Sequence, residues 1–161
     1  EGMNQKELSN YRRNHLGYVF QFYNLIPNLT ARENIEVGAY LSKQPLDIDD
    51  LIETLGLTEH QHKLPNQLSG GQQQRVAIAR SQVTGAPITF ADEPTGALDT
   101  TTAHEVMALL LALIPQQGKT LVIVTHDPNI AAQCSRTIHL LDGQIVHDSQ
   151  HPAQPRQEGT H

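Results

Sequence analysis

Ile88–Ala91 is a short apolar run, and Leu121–Val124 is another with no polar alternation. Runs of that kind suit central strands of a parallel sheet, covered on both faces. Between them Val106, Leu109, Leu110, Leu113 and Ile114 mark one face of a helix starting near Thr101, with Gly118 past its end. Strand, helix and strand of this length predict a βαβ crossover. The first run ends in Asp92 and Glu93, and the second leads into His126. The chain therefore reads as α/β, with chemistry-bearing side chains at its strand ends.

The remaining stretches are punctuated by clear stops and starts. A polar opening, Glu1–Asn14, predicts a helix around Lys6–Arg13, and Leu16–Phe20 predicts a short strand delivering Gln21. An apolar cluster follows in a loop: Phe22, Tyr23, Leu25, Ile26 and Pro27. Thr30 and Glu33 form a capping box ahead of a helix through about Leu41. Asp47 or Asp49 opens a second helix, Asp50–Leu55, closed by Gly56. A polar link, Thr58–Gln67, leads to a helix that ends near Gly85, so Phe22–Ala86 is mostly helical. Asp127-Pro128 starts a short helix, and Asp142-Gly143 turns a hairpin between Thr137–Leu141 and Gln144–His147. The stretch Ser149–His161, rich in Gln, Pro and His, has nothing to bury and is expected to be disordered.

Composition excludes some functions. At 161 residues the chain can build one domain with a real core. Its formal charge of −6 argues against a nucleic-acid surface. No apolar run approaches the roughly 20 residues of a membrane span, and no signal-peptide pattern follows Glu1. Cys134 is the single cysteine, so an internal disulfide is impossible, which fits a cytoplasmic protein. His60 and His62 read as members of a solvated loop.

The helix after the polar link begins at Leu68-Ser69-Gly70-Gly71-Gln72, with Val76, Ala79 and Val83 at helical spacing. A serine hydroxyl and two glycine amides at a helix start make an anion site, and Ser69 would also serve as the N-cap. Asp92 and Glu93 are adjacent, so an extended strand points them apart. One carboxylate can hold Mg²⁺ while the other polarises a water for in-line attack on a phosphate. Thr89 is slightly polar for this strand, where a hydroxyl bonded to backbone would be tolerated.

These residues resemble the ATP-binding subunits of ABC transporters. LSGGQQQRVAIAR is similar to the signature motif and ITFADEP to the Walker B strand. Thr95-Gly96-Ala97-Leu98-Asp99 resembles the D-loop, Val124-Thr125-His126-Asp127 the switch-histidine loop, and Val19-Phe20-Gln21 the Q-loop. Leu16–Gln21, the Phe-Tyr-Asn-Leu-Ile-Pro loop and Pro-Thr-Gly-Ala-Leu-Asp look most like the macrolide-export, lipoprotein-release and cell-division branch. The resemblance implies a partial P-loop NTPase-type parallel-sheet core over residues 1–148, with a helical subdomain at about 22–86. It implies Asp92 as the magnesium residue, Glu93 as the catalytic base and His126 as a donor to the γ-phosphate. Gln21 would offer its amide oxygen to Mg²⁺ or to the attacking water. Ser69, Gly70, Gly71 and Gln72 would contact ATP bound to the opposite subunit of a head-to-tail dimer. Asp99 would communicate across that dimer, or cap the helix that follows it.

The family also needs a phosphate-cradling loop, G-x-x-x-x-G-K-[ST], well before Gln21. These 161 residues contain none, since Leu113 stands where the first glycine before Gly118-Lys119-Thr120 would have to be. The expectation is a fragment of a complete ATPase that alone hydrolyses little ATP. The leading reading is an ATP-hydrolysing subunit on the cytoplasmic face of the membrane, docked to a permease through the Q-loop and helical subdomain. Two others stay open: a truncated, non-catalytic subunit that docks to a permease or full-length partner, and a soluble ABC-type ATPase. Cargo and direction of transport are not written in these residues.

Overall fold

The computed structural model describes residues 2–150. They form two compact units that divide between Val124 and Thr125.

In the first unit, α1 (Gln5–His15) opens on a capping box between Asn4 and Glu7 and runs straight into β1 (Leu16–Phe20). The next helix, α2 (Ala31–Tyr40), opens on the predicted box: Thr30 N–H donates to Glu33 Oε2 at 2.7 Å, and Glu33 N–H to Thr30 Oγ1 at 3.2 Å. A cap of this kind is worth about 1 kcal/mol. Asp47, rather than Asp49, caps α3 (Ile48–Thr54), and Gly56 leaves it at a φ of 66°. Two single 3₁₀ turns, Thr58–His60 and Pro65–Gln67, occupy the polar link. Then come α4 (Gly70–Val83), β2 (Ile88–Asp92), α5 (Thr100–Gln116) and β3 (Thr120–Val124).

The three strands form one parallel sheet with β2 in the middle. Leu16 pairs with Ile88 and Ile88 with Thr120, and the register ends on Phe20, Asp92 and Val124. Gly17, Val19, Thr89 and Ala91 are buried on the face that meets α4. A Cβ on Gly17 would lie 3.1 Å from Ser81 O, so strand and helix touch backbone to backbone. Thr89, buried in the middle of β2, accepts a hydrogen bond on Oγ1 from Gln82 Nε2 of α4 at 2.9 Å. Around α4 the helical stretch buries Ile35, Leu55, Leu57 and Ile78 completely. Each such side chain contributes roughly 1.5–3 kcal/mol.

The opposite sheet face departs from expectation. Tyr18 and Phe20 are each 40% exposed and Val124 54%, while β3 lies at the sheet edge with no fully buried residue. Tyr18 stacks on Phe90 with ring centroids 5.9 Å apart, so the open face is an aromatic stripe. An apolar strand records that both its faces avoid water; it does not record which segment covers them.

The second unit holds the short helix α6 (Pro128–Ala131) and an antiparallel hairpin, β4 (Arg136–Leu141) and β5 (Gln144–Gln150). Asp142 and Gly143 turn it with φ values of 49° and 76°, the left-handed pair that a two-residue hairpin loop requires. β5 runs through Gln150, two residues into the stretch expected to be disordered; residues 151–161 lie outside the described ones.

Candidate functional site

Parallel pairing in register sends the chain out of β1 and β2 at the same edge of the sheet. Phe20 is opposite Asp92, so Gln21 and Glu93 leave from adjacent points. Asp92 stays in the strand and is exposed. Glu93 takes a φ of 45°, a left-handed conformation that turns the chain sharply, and its N–H donates to Val124 O at 2.8 Å. A tight turn follows, closed by Gly96 N–H to Glu93 O at 3.0 Å. Asp92 is thus the last residue of β2, while Glu93 lies in the turn beyond it. Gln21 lies across this turn: a Cβ on Gly96 would come within 2.6 Å of Gln21 Nε2. The glutamine and the Glu93 turn are thus in contact.

At the start of α4, Ser69 and Gln72 cap each other. Ser69 Oγ accepts from Gln72 N–H at 3.2 Å, and Gln72 Oε1 accepts from Ser69 N–H at 3.0 Å. The amide nitrogen of Gln72 lies 3.2 Å from His60 Nε2, so His60 is part of this cluster rather than loose in solvent. Both glycines are closely packed. A Cβ on Gly70 would sit 2.8 Å from the Tyr23 hydroxyl, and one on Gly71 would overlap Thr102 Cγ2. The helix start is therefore wedged between the loop after β1 and the start of α5.

Asp99 caps α5, accepting from Thr102 N–H at 3.1 Å and from Thr102 Oγ1 at 2.7 Å. Those hydrogen bonds hold its carboxyl below the ordinary value of 3.8. Through Thr102, Asp99 and Gly71 belong to one contact. His126 falls in the second unit; it is exposed and precedes Asp127, which caps α6.

Residues 2–96 match the sequence profile of the family described as ABC transporter. The chain belongs to the ABC transporter family. Among its relatives, the MG065 homolog of Mycoplasma pneumoniae, named an ABC transporter ATP-binding protein, is 49% identical over 146 residues, covering 89% of this chain and 31% of the relative. A macrolide export ATP-binding/permease protein, MacB, of Photorhabdus laumondii is 47% identical over 152 residues, covering 91% of this chain and 23% of its own. The ABC chain thus spans a third or less of the length of these curated relatives. A solved dimeric ATP-binding cassette, MJ0796, in a post-hydrolysis state bound to ADP and phosphate, superposes with a TM-score of 0.77 at 40% identity. That match covers 94% of this chain and 69% of the cassette. The parallel α/β core is that of the ABC ATPase cassettes.

Two polar residues of this ABC chain lie inside the signature-like stretch, yet the motif alone assigns them no role. Arg80, largely buried on α4, donates to Asn24 O at 2.8 Å and Tyr23 O at 3.0 Å. It thereby holds two residues whose φ values are 55° and 62°. Burial lowers the guanidinium's pKa from its usual value. Gln74, fully buried one turn into the same helix, donates to carbonyls near both Gln21 and Glu93. Helical spacing gave no signal for Gln74: at about 100° per residue it lies roughly opposite the face of Val76, Ala79 and Val83, and it is buried because α4 is covered on more than one side.

Proposed function

We propose that this chain is part of an ATP-binding and hydrolysing subunit of an ABC transporter, whose ATP turnover drives transport through a membrane permease. The observation that carries the reading is the shared sheet edge, where Gln21 from β1 meets the turn that holds Glu93 after β2. Residues 1–148 are assigned to one partial ATPase domain with its helical subdomain at about 22–86. A phosphate-cradling loop would come from a part of the ATPase outside these 161 residues, since the solved cassette is covered over only 69% of its length.

Glu93 acts as the general base. As a water oxygen bonds to the γ-phosphorus, its proton passes to the Glu93 carboxylate and the bond to ADP breaks. Asp92, exposed at the end of β2, and Gln21, beside the turn that follows it, would supply oxygens for Mg²⁺, a cation that takes one or two protein oxygens and otherwise water and phosphate. When bound, it would neutralise phosphate charge. His126 donates to the γ-phosphate. Ser69 spends one lone pair on Gln72 N–H and keeps its O–H proton for a phosphate. Gly70, Gly71 and Gln72 complete that contact with ATP held by the opposing subunit of a head-to-tail dimer, and Asp99 relays between the two sites. Phe22, 76% exposed in the loop after Gln21, offers the permease an apolar handle on the cytoplasmic side of the membrane.

The test is made on the native product, captured from its source cells with an antibody to this region. The expected result is a polypeptide clearly heavier than 17.8 kDa that hydrolyses ATP with Mg²⁺. Its Glu93→Gln variant should lose about 10²–10⁴-fold in turnover while keeping nucleotide affinity. A native product of 17.8 kDa without turnover would overturn the reading in favour of a non-catalytic docking subunit.

A further inference from the structure

We infer that Gln74 is a positioning residue, locking the loop that carries Gln21 and the turn that carries Glu93 to the helix that begins at Ser69. The role rests on the assignment of Gln21 and Glu93 given above. Gln74 Nε2 donates to Phe20 O at 3.1 Å and to Pro94 O at 2.5 Å. Phe20 immediately precedes Gln21, and Pro94 immediately follows Glu93. Both partners are carbonyl oxygens, so only the amino end of the amide can face them, and its orientation is fixed. One side chain thereby uses its two protons to join the ends of two strands to a third element.

The rest of the surroundings agree with a positioning role. Phe20 O also accepts from Tyr23 N–H at 3.3 Å, and Pro94 lies inside the turn closed by Gly96 N–H on Glu93 O. Gln74 is 0% exposed, yet its Oε1 meets no donor among the described residues. A buried acceptor without a partner is unfavourable, and a leucine or methionine filling the same space would avoid it. The fork to the two carbonyls is what an apolar residue could not provide. Displacing the start of α4 would then move both loops together, because the amide spans all three.

The same helix provides its own control. Gln82 is also buried, also leaves its Oε1 without a donor among the described residues, and donates to Thr89 Oγ1 at 2.9 Å and Ser81 Oγ at 3.2 Å. It braces the middle of β2 and touches neither loop. Gln74→Met and Gln82→Met therefore remove comparable buried amides with different consequences.

Hydrogen exchange of the 161-residue chain tests the inference. In Gln74→Met the amides of Tyr23 and Gly96 should exchange about tenfold faster or more, the two loops together, whereas Gln82→Met should leave both within about twofold. Acceleration of one loop only, of neither, or equally in both variants would overturn the role. Should Gln74→Met fail to fold, native-state exchange of the unaltered chain decides. Tyr23 and Gly96 should then open as one cooperative unit with the same denaturant dependence, and separate opening would overturn the lock. In the native product, Gln74→Met should lower kcat about tenfold with nucleotide KM little changed. Faster exchange with unchanged turnover would overturn the positioning role, while the catalytic assignment stands or falls separately on the Glu93→Gln variant.

Discussion

A Cβ built on Gly71 would overlap the Cγ2 methyl of Thr102. Thr102 cannot rotate away freely, because its hydroxyl donates to Asp99 Oδ1 at 2.7 Å. Gly71→Ala should therefore destabilise the first unit by about 1–3 kcal/mol through overpacking. Adding Thr102→Ser, which deletes the methyl and keeps the hydroxyl, should recover most of that loss. Urea denaturation of both variants is the measurement, and an equal loss in the single and double variants would refute the contact.

Arg80 holds the carbonyls of Tyr23 and Asn24 with one guanidinium fork. Replacing it with methionine keeps the stem and removes the fork, at a cost of about 1.5–3 kcal/mol for hydrogen bonds from a charged donor. Arg80→Lys should not restore the loss, since an ammonium cannot match two carbonyls with a planar pair of donors. Thermal denaturation of the two variants checks this, and recovery in the lysine variant would count against the fork.

Asp99 gives the first unit a specific acid sensitivity. Its carboxyl titrates below the ordinary 3.8 because Thr102 donates to the ionised form. A lowered carboxyl pKa contributes stability above the unfolded value, and that contribution disappears as pH falls through the folded value, here below about pH 4. Asp99→Asn keeps an oxygen for Thr102 and removes the titration, so stability against pH should flatten in that window. Denaturant midpoints from pH 2 to 5 give the comparison; an unchanged slope would exclude Asp99 as its source.

The exposed aromatic stripe predicts self-association. Tyr18→Thr with Phe20→Thr places strand-compatible β-branched residues in β1 while removing two rings from the open face. Concentration-dependent light scattering should fall in the double variant. If it does not, another surface carries the association.

The elements were legible wherever local chemistry decided them. Leu16–Phe20 was read as a strand to the residue, Thr30 and Glu33 as a capping box, and Ser69 as an N-cap; the structure has all three. These depend on neighbours within a few residues. The open sheet face was not legible, since the apolarity of Leu121–Val124 is the same whichever segment covers it. Gln74 and Arg80 were missed for a related reason: their partners lie 20 to 57 residues away in sequence, and only the fold brings them near. Thr89 was noticed as a polar residue in a strand, but its partner, Gln82, belongs to the adjoining helix.

The strand order also sets a timetable. Leu16 finds its partner only at Ile88, across the whole helical stretch. At a synthesis rate of about 5–20 residues per second, β1 waits on the order of 4–14 s before β2 has been made. During that interval α2, α3 and α4 can collapse on contacts of short range, while Tyr18 and Phe20 remain unpaired at the end of a nascent strand. The β1–β2 pairing is thus among the last contacts of the first unit that synthesis allows to form.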